Sequence, residues 1–288
     1  MAEKLSLAVI GGSGLYSMKG LAETTEHVIE TPFGKPSSPI IIGTLEGQRV
    51  AFLSRHGIGH FITPTEVNYR ANICALKMLG AERIVSISAC GSLREDYAPG
   101  EIVIPDQIFD HTKNRARTFF GEGMVAHISV ADPVCADLSE RVLQAVSSAG
   151  VKPHKGGVLI TIEGPRFSTK AESNVFRAWG MSIIGMTASP EAFLAREAEM
   201  CYAIMAHVTD YDVWHVSEEP VTVEMVIKTL NKNTETAQES LRLLVKNLDT
   251  APTCPCQNSL ADALVTNPAA IPANTRKKLA FIVGKYLK

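Results

Sequence analysis

Residues 183–214 read IIGMTASPEAFLAREAEMCYAIMAHVTDYDVW, and they combine two apolar runs, a helical segment and a pair of carboxylates. A short apolar strand precedes a helix that begins near Pro190, and a second apolar strand follows at residues 202–208. Two strands joined by a helix form a βαβ-type crossover, and open α/β sheets bind ligands at the carboxyl ends of their strands. Asp210 and Asp212 come directly after such an end. They predict a site for a small polar ligand, with an ordinary solvated turn as the equally weighted alternative.

The rest of the chain continues this alternation of strands and helices. Apolar runs predict further strands at residues 5–10, 40–45, 49–54, 83–88, 101–110 and 157–162. Periodic apolar positions predict further helices at residues 64–79, 132–149, 172–180, 223–248 and 275–286. Together these patterns predict an α/β protein: a single domain in which helices flank a central mixed β-sheet.

Composition and charge limit the class of function. The 288 residues are 45% hydrophobic and 20% charged, which is ordinary for a globular protein, and the formal net charge is -2. A near-neutral charge gives no sign of a nucleic-acid or membrane surface. No apolar run approaches the roughly 20 residues that span a bilayer, and the chain begins with a strand rather than a signal peptide. We therefore expect a cytoplasmic protein whose partners include neither nucleic acid nor a membrane.

Six cysteines are present, and two of them form a Cys254-Pro255-Cys256 motif. The other four lie in apolar segments and are predicted to be small buried hydrophobic residues: Cys74, Cys90, Cys135 and Cys201. A CxC pair could bind a metal or close a strained disulfide. A tetrahedral zinc site needs two further ligands close by, and none is visible near the motif in the sequence. The prediction is therefore that no metal is bound.

Three strand ends carry groups that could hold an anion. The first predicted strand runs into a Gly-rich turn that contains Ser13, and another ends at Arg55 and His56. A third runs into Ser88 and Ala89, small residues that let the backbone approach a ligand. Glycine turns expose backbone N–H groups, and arginine offers a planar fork of donors to an oxyanion. A tight turn without a ligand and a surface ion pair are the alternatives.

The turn after the strand at residues 157–162 supplies a further group of candidates. Phe167 could stack on an aromatic ring, and Glu163 and Arg166 could bind a ligand. A core phenylalanine and a loop ion pair are the alternatives.

Taken together, the motifs resemble those of a known family. Eight blocks follow one another as in the methylthioadenosine phosphorylases, members of the trimeric purine nucleoside phosphorylase family: GGSGLY, TPFGKPSSP, SRHGIGH, ANICALKMLG, SACGSLREDYAPGEIVIPDQ, TIEGPRFSTKAES, GMTASPEAFLAREAEMCYA and TDYDVW. The resemblance spans Leu5 to Leu248. It implies the nucleoside phosphorylase fold and phosphorolysis of 5′-methylthioadenosine to adenine and 5-methylthioribose 1-phosphate. Inorganic phosphate would be a co-substrate, with no cofactor.

The resemblance also implies how the chain is divided. Residues 1–248 would be the catalytic domain, and residues 249–288 a C-terminal extension with the CPC motif and a short helix. Similar CxC tails in related archaeal enzymes are linked to disulfide chemistry, which is an analogy only.

Residue by residue, the resemblance implies the following site. The groups that would bind phosphate are Ser13, Arg55, His56, Ser88, Ala89 and Thr187. The groups that would contact the sugar, the purine and the 5′-methylthio group are Phe167, Ser168, Met186, Val223, Val226 and Ile227. His127 would reach the pocket of a neighbouring subunit, which implies a homotrimer or a dimer of trimers. The catalytic pair would be Asp210 and Asp212, which would face N7 and the 6-amino group of the purine.

The residue types agree with this chemistry. A purine departs easily when N7 is protonated, which a protonated carboxyl group such as that of Asp210 can bring about, and Asp212 would help to hold one proton between the pair. A carboxylate accepts a hydrogen bond from the 6-amino group but opposes the lone pairs of a 6-oxo group, so adenine is favoured. Two alternatives stay open: a purine nucleoside or methylthioinosine phosphorylase that acts on 6-oxopurines, and a nucleotide-binding module without turnover.

Overall fold

The computed structural model describes residues 5–12, 20–215, 222–248 and 251–287, without the side chains of residues 225–233. Within these ranges the strands are β1 (Leu7–Gly11), β2 (Ala22–His27), β3 (Ile40–Leu45), β4 (Gln48–Ser54), β5 (Arg83–Ser92), β6 (Ile102–Ile104), β7 (Gln107–His111), β8 (His154–Lys155), β9 (Val158–Ile162), β10 (Ile183–Gly185) and β11 (Cys201–Asp210). The helices are α1 (Tyr69–Met78), α2 (Ala136–Ser148), α3 (Lys170–Ala178), α4 (Ala188–Glu197), α5 (Val223–Lys246) and α6 (Ala273–Val283). None of these helices combines the length and the apolar content needed to cross a bilayer.

The strands form one mixed sheet with β5 at its centre. Along one path the order is β2-β3-β4-β1-β5-β10-β9-β7, while β11 pairs with β5 and with β6. The first part of β5 runs parallel to β1 and β11, and its last part pairs antiparallel with β10. Every residue of β11 is buried, as expected for a strand that helices cover on both faces. The predicted α/β fold, one domain with a mixed central sheet and flanking helices, is confirmed.

Helices cover both faces of the sheet. On one face α2 and α5 pack against each other and against β11, and on the other α1 contacts α4 and α6. The C-terminal extension joins the second group, because the apolar side chains of Leu260, Leu279 and Ile282 belong to the same core as those of β1 and β5. Burial of these side chains, each worth about 1.5–3 kcal/mol, holds residues 251–287 against the sheet.

Several local predictions differ from the structure. Residues 183–208 do not form a parallel βαβ crossover, because β10 pairs antiparallel with the end of β5 whereas β11 pairs parallel with it. The helix predicted at residues 132–149 begins only at Ala136. The helix predicted at residues 64–79 begins only at Tyr69, because the Asn68 side chain accepts a hydrogen bond from the first turn and caps the helix there. The strand predicted at residues 101–110 is two strands, with Pro105 between them. Strand β2 was missed because its sequence, AETTEH, has no buried position and pairs at the edge of the sheet.

A buried ion pair joins α4 to the end of β4. The Nε and Nη2 atoms of Arg55 donate to the two carboxylate oxygens of Glu191 at 2.8 and 2.9 Å. Arg55 Nη2 also donates to Ser86 Oγ on β5, and the hydroxyl of Tyr202 on β11 donates to Glu191 at 2.8 Å. Both charged groups are almost wholly inaccessible to solvent. Because each has a charged partner and further hydrogen bonds, their burial is tolerated.

Removing one side of this pair tests its role. Glu191→Gln leaves the Arg55 guanidinium buried without a counter-charge, and breaking a buried pair in this way costs about 3–5 kcal/mol. We expect the free energy of unfolding in urea, measured at one protein concentration, to fall by an amount in that range. The matched control is Glu239→Gln, whose partner Arg242 is at the surface, and it should change the stability little. Equal stability of the two variants would contradict this interpretation.

Candidate active site

Strand β5 sets the spacing of the predicted site residues. The Arg55 guanidinium donates to atoms of residues 86–87, and residues 88–89 follow. Gly91 then lies beside Asp210 at the end of β11. The ends of β4 and β1 are in register at this edge of the sheet, and the backbone N–H of Arg55 donates to Gly11 O at 3.0 Å. The carboxyl ends of four strands therefore meet here, as the rule for ligand sites in α/β sheets predicts.

The predicted phosphate groups on β5 and after β10 are brought together. Ser88 and Ala89 are half-buried. The carbonyl oxygen of Ala89 lies 3.9 Å from where a Cβ on Gly185 would stand, and the chain continues from there to Thr187. Thr187 is buried at the N-terminus of α4, and its hydroxyl makes no capping hydrogen bond. These residues offer hydroxyl and backbone donors to one anion.

Arg55 does not present a free guanidinium fork. Its Nε and Nη2 atoms are engaged by Glu191 and Ser86, and Nη1 donates to Ile87 O at 3.3 Å. Among the described residues, Nη1 of Arg55 donates to Ile87 O alone, so its second N–H remains for a ligand. The Arg55 side chain therefore contributes positive charge and at most one donor, rather than the bidentate contact that its residue type allows.

His56 is held in one orientation. Its Nδ1 atom lies 2.9 Å from Ile62 O, and its ring stacks on that of His60 at a centroid distance of 4.5 Å. Since a carbonyl oxygen only accepts, Nδ1 carries the hydrogen and Nε2 of the neutral ring is an acceptor. Burial, followed by the charge of Arg55, lowers the pKa of His56 to about 4. A neutral His56 can accept a hydrogen bond from a P–OH group.

The carboxyl group of Asp210 is buried and oriented by two hydrogen bonds. Its Oδ2 accepts from the Thr209 hydroxyl at 2.7 Å, and its Oδ1 accepts from the backbone N–H of Asp212 at 2.8 Å. Burial raises the pKa of Asp210 to about 6; the two hydrogen bonds oppose this rise, and the nearby Asp212 charge adds to it. Gly91 provides the space, because a Cβ there would lie 2.9 Å from Asp210 Oδ1. Asp210 can thus carry a proton near neutral pH.

Asp212 faces a second group of polar atoms. Its Oδ2 is buried and has no hydrogen-bond partner among the described residues, and the same holds for the hydroxyls of Ser168 and Ser173. Burial raises the pKa of Asp212, and the approach of those two hydroxyls partly offsets the rise. Buried polar atoms without partners are rare in folded proteins, so their convergence indicates a surface that binds a polar ligand. Ser173 carried no sequence signal beyond its place on a helix.

Arg115 organises the loops on either side of this surface. Its buried guanidinium donates to the carbonyl oxygens of Met186, Ser189 and Glu163, at 2.6, 2.7 and 2.8 Å. The loop after β9 thereby packs against Met186, whose Sδ lies 2.6 Å from where a Cβ on Gly164 would stand. Sequence reasoning missed Arg115, as it missed Glu191, because its partners come from segments far apart in the chain.

The remaining residues of the loop after β9 have different roles. Phe167 is half-buried and stays a candidate for stacking on a purine. Arg166 forms an exposed ion pair with Glu172, at 2.6 Å, and Glu163 accepts from the Thr65 hydroxyl and pairs with Arg115. For Arg166 and Glu163 the loop ion pair is therefore the better interpretation.

The groups described above do not include five of the predicted site residues. Ser13 lies outside the described residues, and the side chains of Val226 and Ile227 lie outside the described side chains. Val223 begins α5 and is 63% exposed. The side chain of His127 is also exposed, and its backbone N–H donates to a carbonyl of the C-terminal extension.

Four cysteines form a separate cluster, which could hold a metal. The Sγ atoms of Cys135, Cys201, Cys254 and Cys256 all lie within 4.8 Å of one another. The sequence analysis found no two further ligands near the CPC motif. The fold supplies the two additional thiols from the N-cap of α2 and the start of β11, more than 50 residues away along the chain, and the prediction that no metal is bound stays a prediction.

Comparison with known proteins agrees with this architecture. The family model of the phosphorylase superfamily matches residues 6–246. Proteins named S-methyl-5′-thioadenosine phosphorylase from Geobacter sulfurreducens and Chloroflexus aurantiacus are 53% and 54% identical over 282 residues. The alignments cover 98% of this chain and 99% and 98% of those proteins.

Solved structures show the same relationship. The crystal structure of a methylthioadenosine phosphorylase from an Antarctic soil metagenomic library matches with a TM-score of 0.93 at 46% identity, covering 97% of this chain and 99% of that one. The enzyme from Schistosoma mansoni in complex with adenine matches with a TM-score of 0.80 at 38% identity, covering 84% of this chain and 91% of that one. The chain belongs to the phosphorylase superfamily.

Proposed function

We propose that this protein catalyses the phosphorolysis of 5′-methylthioadenosine, giving adenine and 5-methylthioribose 1-phosphate. The observation that carries the proposal is the spacing along β5. Ser88 and Ala89, the residues of β5 that we propose to bind phosphate, are followed two residues further on by Gly91, and the carboxyl group of Asp210 lies beside Gly91. Two residues of a strand span about 7 Å, so an anion held at the first position and a purine held at the second would both lie within reach of one nucleoside. The names of the relatives support the same reaction.

In the proposed reaction the protein positions two reactants and supplies one proton. A phosphate oxygen attacks C1′ of the ribose while the C1′–N9 bond breaks, and the bonding electron pair passes to the purine. Protonated Asp210 donates its proton to N7, so that adenine leaves as a neutral base. Phosphate is held by Thr187, by backbone N–H groups near Ser88, and by the Arg55 charge. These groups account for each charge that develops, and we propose no cofactor for the reaction besides phosphate.

The same residues favour adenine as the base. Asp212 and Asp210 present oxygens that accept a hydrogen bond from the 6-amino group, whereas a 6-oxo group would meet like partial charges. We further propose that Phe167 lies against the purine, that Ser168 and Met186 contact the nucleoside, and that Val223, Val226 and Ile227 enclose the apolar 5′-methylthio group.

The site is completed by a neighbouring subunit in our proposal. The exposed His127 would enter the pocket of the next copy, which makes the assembly cyclic and head-to-tail, a homotrimer. The mass of the assembly in solution tests this part, and a monomer would contradict it.

The function itself is tested with purified protein and 5′-methylthioadenosine. We expect adenine to be released only when inorganic phosphate is present, together with an equal amount of 5-methylthioribose 1-phosphate. Release of adenine in the absence of phosphate would indicate a hydrolase, and a faster reaction with methylthioinosine would indicate a 6-oxopurine phosphorylase.

Asp210→Asn tests the proton donor. The amide can donate a hydrogen bond to N7 but cannot transfer a proton, so kcat/KM for 5′-methylthioadenosine should fall by about 10²–10⁴. The relative rate with methylthioinosine should rise, since the amide N–H can donate to a 6-oxo group. Asp137→Asn, at a half-buried ion pair on α2, is the control and should keep wild-type activity. Unchanged discrimination between the two bases in Asp210→Asn would remove the proposed role.

The pKa of Asp210 predicts a pH dependence. With a pKa of about 6, the protonated fraction of Asp210 falls above that pH, and kcat/KM should fall with it on the alkaline side. Asp212→Asn removes the nearby negative charge that raises the pKa of Asp210, so the alkaline limb of the kcat/KM profile should move to lower pH. The pKa of the co-substrate phosphate is the same in both assays. A difference between the pH profiles of the wild-type protein and Asp212→Asn therefore reports a titrating group of the enzyme. A limb at the same pH in both proteins would show that Asp210 is not the titrating acid.

A further inference from the structure

The cysteine cluster, formed by Cys135, Cys201, Cys254 and Cys256, has the geometry of a metal site. The Sγ–Sγ distances from Cys254 are 3.2 Å to Cys201 and 3.6 Å to Cys135, and no pair of the four exceeds 4.8 Å. A tetrahedral zinc ion with Zn–S bonds of about 2.3 Å requires its sulfur ligands to be about 3.8 Å apart. A disulfide would join the thiols in pairs about 2.05 Å apart, whereas here Cys254 is shared between two neighbours.

The polypeptide backbone brings the four thiols together. Cys135 is the N-cap of α2, and its N–H donates to the carbonyl oxygen of Tyr202, next to Cys201 at the start of β11. Cys254 and Cys256 come from the turn at Pro255–Asn258 in the C-terminal extension. Three separate segments thus converge on one point, two of them positioned by the sheet and by α2.

The surroundings suit a negatively charged metal–thiolate group. The backbone N–H of Leu138 donates to Cys135 Sγ at 3.5 Å, and the N-terminus of α2 adds a positive partial charge. The guanidinium of Arg196 donates to Cys256 Sγ at 3.6 Å. Three of the four cysteines are buried and Cys254 is half-buried, so the cluster is closed to water except at one side. A zinc ion with four thiolates carries a charge of about −2, which these donors offset in part.

We propose that the cysteine cluster binds one Zn²⁺ ion with four thiolate ligands. The ion displaces the protons of the thiols, so that Zn²⁺ and four thiol groups give one Zn(S-Cys)₄ group and four protons. No oxidant is needed and no cysteine changes its oxidation state. Four cysteine ligands leave no position for a substrate, which makes the site structural.

The location supports a structural role. Cys201 begins β11 and Asp210 ends it, so the strand separates the cluster from the candidate active site by about 30 Å. The ion would join the C-terminal extension to α2 and to the sheet. The inference is therefore independent of the reaction proposed above.

Metal analysis of the purified full-length protein in its native assembly tests the proposal. After dialysis against metal-free buffer we expect about one zinc per chain, and less than about one-tenth of that in the Cys254→Ser, Cys256→Ser double variant. Cys74→Ser, at a buried cysteine outside the cluster, should keep its zinc. Cys254→Ser alone changes only the least buried ligand and provides a second variant if the double variant does not fold.

Two further measurements separate the possible outcomes. We expect the double variant to lose zinc and thermal stability while its turnover at room temperature stays at the wild-type level. Intact mass measured without reductant should correspond to six free thiols in the wild-type protein. Wild-type protein without stoichiometric zinc, a mass lower by two hydrogens for each disulfide, or zinc retained by the double variant would each overturn the proposal.

Discussion

The buried pair of Arg55 and Glu191 is the interaction on which the rest of the site depends. It connects the end of β4 to α4, and through Ser86 and Tyr202 it reaches β5 and β11. A charge at such depth is stable only with its partner in place, so the pair fixes the distance between these elements. Gly185, two residues before Thr187 at the N-terminus of α4, is thereby held beside Ala89. The cost is that Arg55 has few donors left for a ligand.

Burial has a different effect at the other end of the site. Asp210 accepts two hydrogen bonds but has no cationic partner among the described residues, and burial raises its pKa to about 6. Glu191, equally buried, has the charge of Arg55 beside it. The two carboxyl groups lie near one strand and differ in their partners. The carboxylate of Glu191 is suited to stabilise the fold, and the carboxyl group of Asp210 is suited to carry a proton.

The two ends of β11 have different proposed roles, one in catalysis and the other in stability. Its carboxyl end carries Asp210 beside unpartnered polar atoms, and its first residue, Cys201, belongs to the cysteine cluster. Polar atoms without partners cost free energy in the folded chain. In our interpretation a metal at the opposite end contributes stability without restricting the loops that bind substrate, because the rigid strand separates the two regions.

The α/β class, most strand and helix positions, and the Asp pair after β11 follow from the amino-acid sequence, because apolar periodicity and turn residues act over a few neighbouring positions. The full set of residues predicted to bind phosphate came from the resemblance to the methylthioadenosine phosphorylases. The side-chain contacts of the site depend on the folded chain: Glu191 with Arg55, Arg115 with three carbonyl groups, and Cys135 and Cys201 with the CPC motif. These partners lie 48 to 136 residues apart in the chain. Local patterns cannot specify such contacts, since they form only when the sheet order brings distant segments together.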